Sequence, residues 1–371
     1  MGTAKYLLLI LVLGGVLFFL PNKNAVAPTS SDLSKLPLAE LQTPATTLLA
    51  VGDIMLSRNV GLKIDQTGNP DLPFEKTQDL LGSADIAFGN LECPLSDSKV
   101  PIREGLVFRC LTKYVPGLIN AGFDVLSTAN NHSFDQGAKN IDFTINYLKS
   151  QNILPVGTFP SAAPPREGER EGVIERNSIK FGFLAYSYSA FNDGKNTAHP
   201  QVATMNLDNL KSDILNLKSR GADIVIVSMH AGIEYTRKPT KKQIDFAHAA
   251  IDAGADAVIG HHPHWIQTVE VYPPPREEGP GEVSPYFLPL DGEGEGGVKK
   301  SHKGLIFYSL GNFVFDQMWS QETREGLAVK LNFKGKELKS AELVPVIIDN
   351  YCCPRLANET EKATILEKIK K

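Results

Sequence analysis

Short apolar runs recur along this chain, and they constrain its fold more than any other feature of the sequence. The runs are Leu48–Val51, Ile86–Phe88, Val125–Leu126, Phe181–Ala185, Ile224–Val227, Ala257–Ile259 and Leu305–Phe307. Runs of this length are typical of strands buried on both faces. Apolar residues at helical spacings of three and four lie between several of them, namely Ile141, Ile145 and Leu148, and Leu207, Leu210, Ile214 and Leu217. The alternation predicts an α/β fold with a largely parallel sheet near its centre.

The C-terminal part of the chain has a different pattern. Two apolar segments, Leu327–Leu331 and Ala341–Ile347, flank Gly335. This arrangement predicts a hairpin that closes the sheet. Residues 351–371 are expected to be a polar C-terminal tail, with at most a polar helix from Glu359.

The N-terminus has the three-part layout of a secretory signal. Lys5 precedes the stretch Tyr6–Leu20, whose residues are all apolar or glycine, and Ala25-Val26-Ala27 follows a short polar segment. The apolar stretch is shorter than the ~20 residues that span a bilayer, and Pro28 is a poor residue to follow a cleavage site. Residues 1–27 are therefore predicted to be a signal peptide or an uncleaved N-terminal membrane anchor, with a buried core helix as the disfavoured alternative. Both favoured interpretations place the protein outside the cytoplasmic membrane, either anchored or secreted.

Composition divides the rest of the chain. Residues 28–45 are rich in Pro, Ser, Thr and Ala and are predicted to be a linker. Residues 46–350 form the predicted domain, and two segments rich in Gly, Pro and Glu, near 161–172 and 273–299, are predicted to be surface loop insertions.

Charge and cysteine content exclude several classes of protein. The formal net charge is −4 and there is no basic block, which argues against nucleic acid as a partner. Four cysteines in a chain of 371 residues do not make a disulfide framework. Cys93 and Cys110 are close enough to pair across a loop, but their spacing does not decide whether they do. Cys352 and Cys353 are adjacent.

Polar residues follow the apolar runs. They are Asp53, Asn90, Glu92, Asn130, Asn131, His132, His230, His261, His262, His264 and Asn312. Side chains at the carboxyl ends of neighbouring parallel strands converge on one crevice, where α/β proteins bind ligands. Five of the eight histidines of the chain belong to this set. Carboxylate, amide and imidazole groups without thiolates are ligands for hard and borderline divalent metals.

Two such ions can share a bridging oxygen and activate a water molecule. His132 lies between asparagines and a serine, and it could bind metal or donate a proton to a leaving group. We favour the proton donor, because a histidine acid is better placed when it stays off the metal. The chain has no Gly-x-Ser-x-Gly, no Walker-type loop and no Gly-x-Gly-x-x-Gly after a strand, so other hydrolase and nucleotide-binding classes are not indicated.

Six blocks of the sequence together resemble a known family. They are Gly52-Asp53-Ile54-Met55, Gly89 to Leu95, Ala129 to Asp135, His230 to Tyr235, Gly260 to His264 and Tyr308 to Gln317. Their order is similar to that of the capsule synthesis protein CapA family, the membrane-anchored component of poly-γ-glutamate production, over roughly residues 46–330. That family in turn resembles the calcineurin-like metallophosphoesterases. The resemblance implies an α/β fold of the four-layer α/β/β/α sandwich type with two divalent metal ions, of Mn, Fe, Zn or Mg.

The resemblance also implies roles for individual residues. Asp53 is the expected ligand from the first strand, Asn90 or Glu92 stands at the bridging position, and Asn131-His132 matches an Asn-His pair with His132 as the acid. His230, His262 and His264 are the expected imidazole ligands. Asn130, Glu234 and Asn312 are predicted to contact the substrate. The sequence departs from the phosphoesterase pattern at two positions, since Met55 replaces a histidine and Asn90 is uncharged.

Two functions from different classes follow. The chain is predicted to be a metal-dependent hydrolase or transferase that acts on a polyglutamate or related polymer outside the cytoplasmic membrane. The alternative is a non-catalytic export or assembly partner of a membrane polyglutamate synthetase complex, with a degenerate metal site. The presence of His132 favours catalysis, whereas Met55 and Asn90 favour degeneracy.

Overall fold

The computed structural model describes residues 45–98, 106–161, 172–192, 198–273, 287–289 and 304–369. The predictions for residues 1–27 and for the linker up to residue 44 lie outside these residues, as do most of the two predicted insertions. None of the described helices combines the length and the apolar character that a membrane crossing requires.

The described residues alternate between strands and helices. The strands are β1 (Ala45–Ile54), β2 (Ile86–Leu91), β3 (Val125–Ser127), β4 (Leu154–Val156), β5 (Gly172–Arg176), β6 (Ile179–Ser187), β7 (Ile224–His230), β8 (Ala257–His261), β9 (Val269–Tyr272), β10 (Phe287–Pro289), β11 (Gly304–Phe307), β12 (Asn312–Val314), β13 (Glu325–Lys334), β14 (Glu337–Asp349) and β15 (Cys353–Leu356). The helices are α1 (Arg58–Thr67), α2 (Gln78–Gly82), α3 (Val115–Asn120), α4 (Ala138–Ser150), α5 (Leu207–Ser219), α6 (Lys241–Asp252), α7 (Gln321–Arg324) and α8 (Glu359–Ile369), with a 3-10 turn at Thr112–Tyr114. Every predicted strand and both predicted helices are confirmed.

The strands form two sheets. The first has the order β10-β14-β13-β1-β2-β3-β4, with β12 beside β1 and β15 beside β14. Strands β1 to β4 are parallel, and β13 and β14 form the predicted antiparallel hairpin. The second sheet has the order β5-β6-β7-β8-β11-β9, in which β6, β7, β8 and β11 are parallel. The predicted parallel centre therefore exists in both sheets.

Three apolar cores separate four layers. The core between the sheets includes Phe88 of β2 and Phe183 of β6, whose rings stack at 5.7 Å. Helices α1 and α3 pack on the outer face of the first sheet, where Ile64 and Leu118 are buried. Helices α5 and α6 cover the outer face of the second sheet with residues such as Ile214. These layers confirm the α/β/β/α sandwich.

The C-terminus differs from the expected polar tail. Strand β15 pairs with β14, and α8 buries Ile365, Leu366 and Ile369 in the core between the sheets. The reason is the spacing of these apolar residues, which places them on one face of a helix whose other faces are charged. The folded domain thus continues past residue 350 to the end of α8.

The structure decides the cysteine pairing that the sequence left open, and it adds a strand to one predicted insertion. Cys93 and Cys110 are buried free thiols, and the disulfide joins Cys352 to Cys353. The sulfur of Cys93 accepts a hydrogen bond from the amide of Leu56 at 3.3 Å. Within the segment predicted to be a loop insertion near 273–299, Phe287–Pro289 forms β10 at the edge of the first sheet.

Candidate metal centre

The sequence-predicted polar residues meet where the parallel strands of both sheets end. Asp53 lies near the end of β1 and pairs in register with Asn90 of β2 on one side and Asn312 of β12 on the other. His230 ends β7 and pairs with His261, which ends β8. Glu92 follows β2, and Asn130 to His132 follow β3. The first sheet therefore supplies the carboxylates and the second supplies the imidazoles.

Glu92 is the centre of this cluster. Its side chain is fully buried, and neither carboxylate oxygen has a hydrogen-bond partner. Its Oε1 lies 3.9 Å from Nε2 of His132, 3.9 Å from Nε2 of His230 and 4.0 Å from Nε2 of His264. Burial, together with the charge of Asp53, raises the pKa of Glu92 well above its usual value. A buried carboxylate without partners is costly unless a cation accompanies it, so this residue fits a metal ligand.

The ligand atoms form two groups that share Glu92. One group is Glu92, His230 and His262, and the other is Asp53, Glu92 and His264; within each, the ligand atoms lie within 4.8 Å of one another. All of these residues are buried. Two triads with one carboxylate in common fit a pair of ions with a bridging ligand.

Asn90 lies beside Asp53 and His230, and its predicted role as a ligand stays a prediction. Its side-chain amide donates to Oδ1 of Asp53 at 2.8 Å, and its oxygen accepts from Asn130 at 3.2 Å. The same amide nitrogen lies 3.3 Å from Nδ1 of His230. Asn90 therefore contacts two of the candidate ligands, whereas Glu92 is the residue that both triads share.

Asp53 remains ionised despite its burial. Burial raises its pKa, but the neighbouring imidazoles of His261 and His264 more than offset this, so that its pKa is well below the usual value. Oδ2 of Asp53 also accepts the backbone amide of His262 at 3.2 Å. The pKa of His264 is raised, because its hydrogen bond to Asp53 outweighs burial.

The other two imidazoles are held neutral. Burial lowers the pKa of His230 well below its usual value, and burial and the neighbouring His264 lower the pKa of His262 to about 3. Neutral imidazole is the form that binds metal. Nδ1 of His262 is buried without a hydrogen-bond partner. His262 and His264 both have positive φ angles, of 97° and 58°, a strained backbone that is common at functional sites.

Asn131 lies beside the first triad, as predicted for a ligand. Its Oδ1 is 2.8 Å from Nε2 of His230, and its amide donates to Asn192 at 3.0 Å. Asn131 thus places a further side-chain oxygen, Oδ1, beside Nε2 of His230, which is the nitrogen that faces Glu92.

His132 is arranged differently from the ligand histidines. Its Nδ1 is 2.7 Å from Oδ2 of Asp135, and its ring stacks on Phe108 with centroids 3.9 Å apart. Its other nitrogen, Nε2, faces Glu92 across 3.9 Å. No role was predicted for Asp135, although its position three residues after His132 allows a contact between the two side chains. The contact fixes the tautomer and direction of the imidazole.

Two residues predicted to contact substrate, Asn312 and Asn130, form hydrogen bonds with residues around the candidate ligands. Asn312 is buried, its Oδ1 lies 2.9 Å from Nδ1 of His264, and its amide donates to Gln317 and to the backbone of Thr323. Asn130 is buried and donates to Asn90 and to the carbonyl of Leu91. Their predicted contact with substrate stays a prediction.

Glu234 and Tyr235 lie on the more open side of the centre. Both are partly exposed, and burial and Glu234 raise the pKa of Tyr235 to about 12. Gln317 donates to the Tyr235 hydroxyl at 3.1 Å, which connects Tyr235 through Gln317 and Asn312 to His264. The location of Glu234 is compatible with the predicted substrate contact.

His261 and Met55 complete the surroundings. Nδ1 of His261 lies 3.3 Å from Oδ1 of Asp53, and neither ring nitrogen has a hydrogen-bond partner within the described residues. The sequence analysis gave His261 no individual role. Met55 is buried in the outer core, and its sulfur accepts the Ser57 amide at 3.1 Å.

Sequence comparison defines the family. The model of the bacterial capsule synthesis protein PGA_cap family matches residues 47–317, which is most of the chain. The chain belongs to this family. This PGA_cap member is 29% identical over 344 residues to the capsule biosynthesis protein CapA of Bacillus anthracis, covering 90% of this chain and 75% of that protein. It is 29% identical over 330 residues to the PGA biosynthesis protein CapA of Bacillus subtilis, covering 86% of this chain and 77% of that protein.

Two other comparisons add to this. A probable polyglutamine synthesis accessory protein of Mycobacterium tuberculosis is 26% identical over 272 residues, which cover 61% of this PGA_cap member and 70% of the relative. Among solved structures, the calcineurin-like phosphoesterase YfkN of Bacillus subtilis matches 88% of this chain and 99% of its own, with a TM-score of 0.47 and 15% identity.

Proposed function

We propose that this protein is a metal-dependent hydrolase or transferase that acts on a polyglutamate or related cell-surface polymer outside the cytoplasmic membrane. The observation that carries the proposal is Glu92, a buried carboxylate with two unpartnered oxygens that belongs to both ligand triads. The names of two relatives, a capsule biosynthesis protein and a PGA biosynthesis protein, support the substrate class.

The donor set is suited to divalent ions such as Mn, Fe, Zn or Mg. Asp53 and Glu92 supply carboxylate oxygens, and His230, His262 and His264 supply imidazole nitrogens. Asn131 is placed to add an amide oxygen. Bound divalent ions supply the Lewis acidity that activates a water molecule and the group that it attacks.

His132 supplies the proton in this proposal. Its Nδ1 is engaged by Asp135, so Nε2 is the nitrogen that faces the triads and donates a proton to the leaving group. Stacking on Phe108 limits rotation of the ring. Because His132 does not belong to either triad, its replacement separates proton transfer from metal binding.

The test is metal analysis of the purified protein, combined with a screen against γ-glutamyl polymers and phosphoesters. We expect His262→Ala and His264→Ala to lower the metal content, since losing a ligand weakens binding at least ~10-fold to 100-fold. His132→Ala should keep the metal and lose about 10²-fold to 10⁴-fold in rate on any substrate found. Unchanged metal content in both ligand variants would contradict the metal-site proposal.

A second function, an accessory role in a membrane synthetase complex, is favoured by two observations. A relative is named a polyglutamine synthesis accessory protein, and the uncharged Asn90 binds Asp53 where a ligand was predicted. A polymer-producing strain that lacks its own family member tests this alternative. If the His132→Ala variant restores polymer production fully, the accessory role is favoured. If the wild-type chain restores production and the His132→Ala variant does not, catalysis is favoured.

A further inference from the structure

Arg58 opens helix α1 next to the candidate metal centre. Its Nε lies 3.2 Å from Oδ2 of Asp316, whose side chain is fully buried, while the Arg58 side chain is 38% exposed. The backbone of Arg58 is left-handed, with φ of 51°. An ion pair at Nε leaves the edge of the guanidinium that carries its two terminal nitrogens available to another partner.

Those terminal nitrogens are free within the residues that the structure describes. Arg58 makes one ion pair there, through Nε alone. Arg355 shows the contrasting case, since both of its terminal nitrogens bind Glu361, at 2.7 and 2.8 Å. A planar pair of terminal N–H groups matches a carboxylate or phosphate, to which it binds through two parallel hydrogen bonds.

An aromatic ring connects Arg58 to His132. The guanidinium carbon lies 5.7 Å from the centroid of the Phe108 ring, and the same ring stacks on His132 at 3.9 Å. An extended amide chain advances ~3.5 Å per residue. A substrate held at the centre therefore reaches Arg58 with a group only a few residues along the chain.

Asp316 holds this arrangement in place before any ligand arrives. Besides Arg58, it accepts the backbone amide of Asn59 at 3.2 Å and the Asn59 side-chain amide at 3.0 Å. A strained residue persists only where its surroundings fix it, and such residues concentrate at ligand sites. A guanidinium fixed in this way loses little entropy when it binds an anion.

We propose that Arg58 binds a carboxylate of the substrate through its two terminal nitrogens. This inference rests on the proposed function and specifies the recognition that it requires. A guanidinium edge close to His132 orients a chain that carries carboxylates.

The experiment measures binding of a short γ-glutamyl oligomer to the metal-loaded protein by titration calorimetry. Arg58→Gln should weaken binding by about 10-fold to 100-fold, the value of a charge-assisted hydrogen-bond pair. Arg58→Lys should recover only part of the loss, because an ammonium cannot form the two parallel bonds. The same oligomer with its carboxylates methyl-esterified should bind wild type and Arg58→Gln equally.

The matched control is Arg176→Gln. Arg176 lies on strand β5 of the second sheet, its side chain is 41% exposed, and it forms an ion pair with Asp124. This variant should leave oligomer binding unchanged, and both Gln variants should keep the metal content of the wild type. Equal oligomer affinity in wild type and Arg58→Gln overturns the inference while the proposed function stands. An equal loss for the esterified oligomer also overturns it.

Two further outcomes separate the remaining explanations. A metal-loaded wild type that does not bind the oligomer overturns both the proposed substrate and this inference. Inorganic phosphate that binds more tightly than the oligomer, and that loses affinity in Arg58→Gln, assigns the guanidinium to phosphate and overturns the carboxylate assignment.

Discussion

At the scale of single residues, Glu92 is the group on which the candidate centre depends. It is the member common to both triads, and its oxygens have no hydrogen-bond partner among the residues that the structure describes. Its neighbours each have further contacts, since Asp53 is bonded to Asn90 and His264 contacts Asn312. Replacement of Glu92 therefore differs from replacement of any other ligand.

We predict that Glu92→Gln removes metal from both triads, because a neutral amide is a poor bridge between two cations. His262→Ala, which touches one triad, should remove metal from that triad only. The measurement is the number of metal equivalents per chain by elemental analysis, with the metal-induced rise in melting temperature as a second readout. Equal metal content in the two variants would contradict the bridging assignment.

The sequence predicted most of the centre because its residues follow strands, and parallel strands end together. It could not choose between Asn90 and Glu92. These residues are two apart, so an extended chain directs both toward the same face. Only the contacts decide, since Asn90 binds Asp53 whereas Glu92 is unpartnered. The sequence likewise does not reveal that the side chains of Asn130 and Asn312 already have hydrogen-bond partners in the protein.

At the scale of secondary structure, the position of Asp53 depends on a close approach between β1 and the turn before β12. The Asp53 amide donates to the carbonyl of Gly311 at 3.0 Å. A Cβ atom at Gly52 would lie 2.0 Å from the same carbonyl oxygen. The close contact between the two backbones therefore requires glycine at position 52.

We predict that Gly52→Ala lowers the free energy of unfolding by at least about 3 kcal/mol, because the backbone of Gly311 has to move. Gly82→Ala is the control, since a Cβ at Gly82 meets no atom within 4 Å. That variant should be neutral or stabilising by about 0.4–1 kcal/mol. Urea denaturation of the two variants measures both effects, and equal stabilities would refute the steric argument.

Helix α8 has a charged N-terminal cap. Glu361 accepts two hydrogen bonds from Arg355 and one from the Asn358 amide, while its own amide donates to the Asn358 side chain. The hydrogen bonds from Arg355 and Asn358 lower the pKa of Glu361 to about 2. A carboxyl with a depressed pKa contributes stability above its unfolded-state pKa, and this stability is lost as the pH falls toward the folded-state value.

We predict that Glu361→Gln destabilises the protein by about 1 kcal/mol at pH 7, the upper range for an exposed ion pair. The difference from wild type should shrink as the pH falls from about 4.5 toward 2, the interval between the ordinary and lowered pKa values. Glu359→Gln, also in the first turn, is the control. Urea titrations over this range provide the measurement, and a difference independent of pH would argue against the pair.

The strands were predictable from sequence because each is an apolar run, as in Ile224–Val227 of β7. The contribution of α8 to the core was not predictable from sequence, because this helix buries only three residues of a largely charged segment. Only a neighbouring surface, here the core between the sheets, reveals which face of such a helix is buried. The state of Cys93 and Cys110 was likewise undecided, since sequence separation carries no side-chain geometry.

At the scale of the whole molecule, location follows from the N-terminal prediction. We predict that the chain is located outside the cytoplasmic membrane, where it is either released into the medium or sediments with membranes and is degraded by protease added to intact protoplasts. Leu13→Arg, which interrupts the apolar stretch Tyr6–Leu20, should leave the chain in the soluble fraction and protected. Protection of the unaltered chain would contradict a location outside the membrane. Leu62→Arg, at an exposed position of α1, controls for the added charge.

The division of ligands between the two sheets has a thermodynamic consequence. Asp53 and Glu92 belong to the first sheet, whereas His230, His262 and His264 belong to the second. An ion bound to both would cross-link the two halves of the sandwich, in addition to the apolar core and the hydrogen bonds that already join them. Each ion at 100 times its dissociation constant adds about 2.7 kcal/mol to the native state. Amide hydrogen exchange should therefore slow in β1 and β7 together on loading, and chelation should release them together.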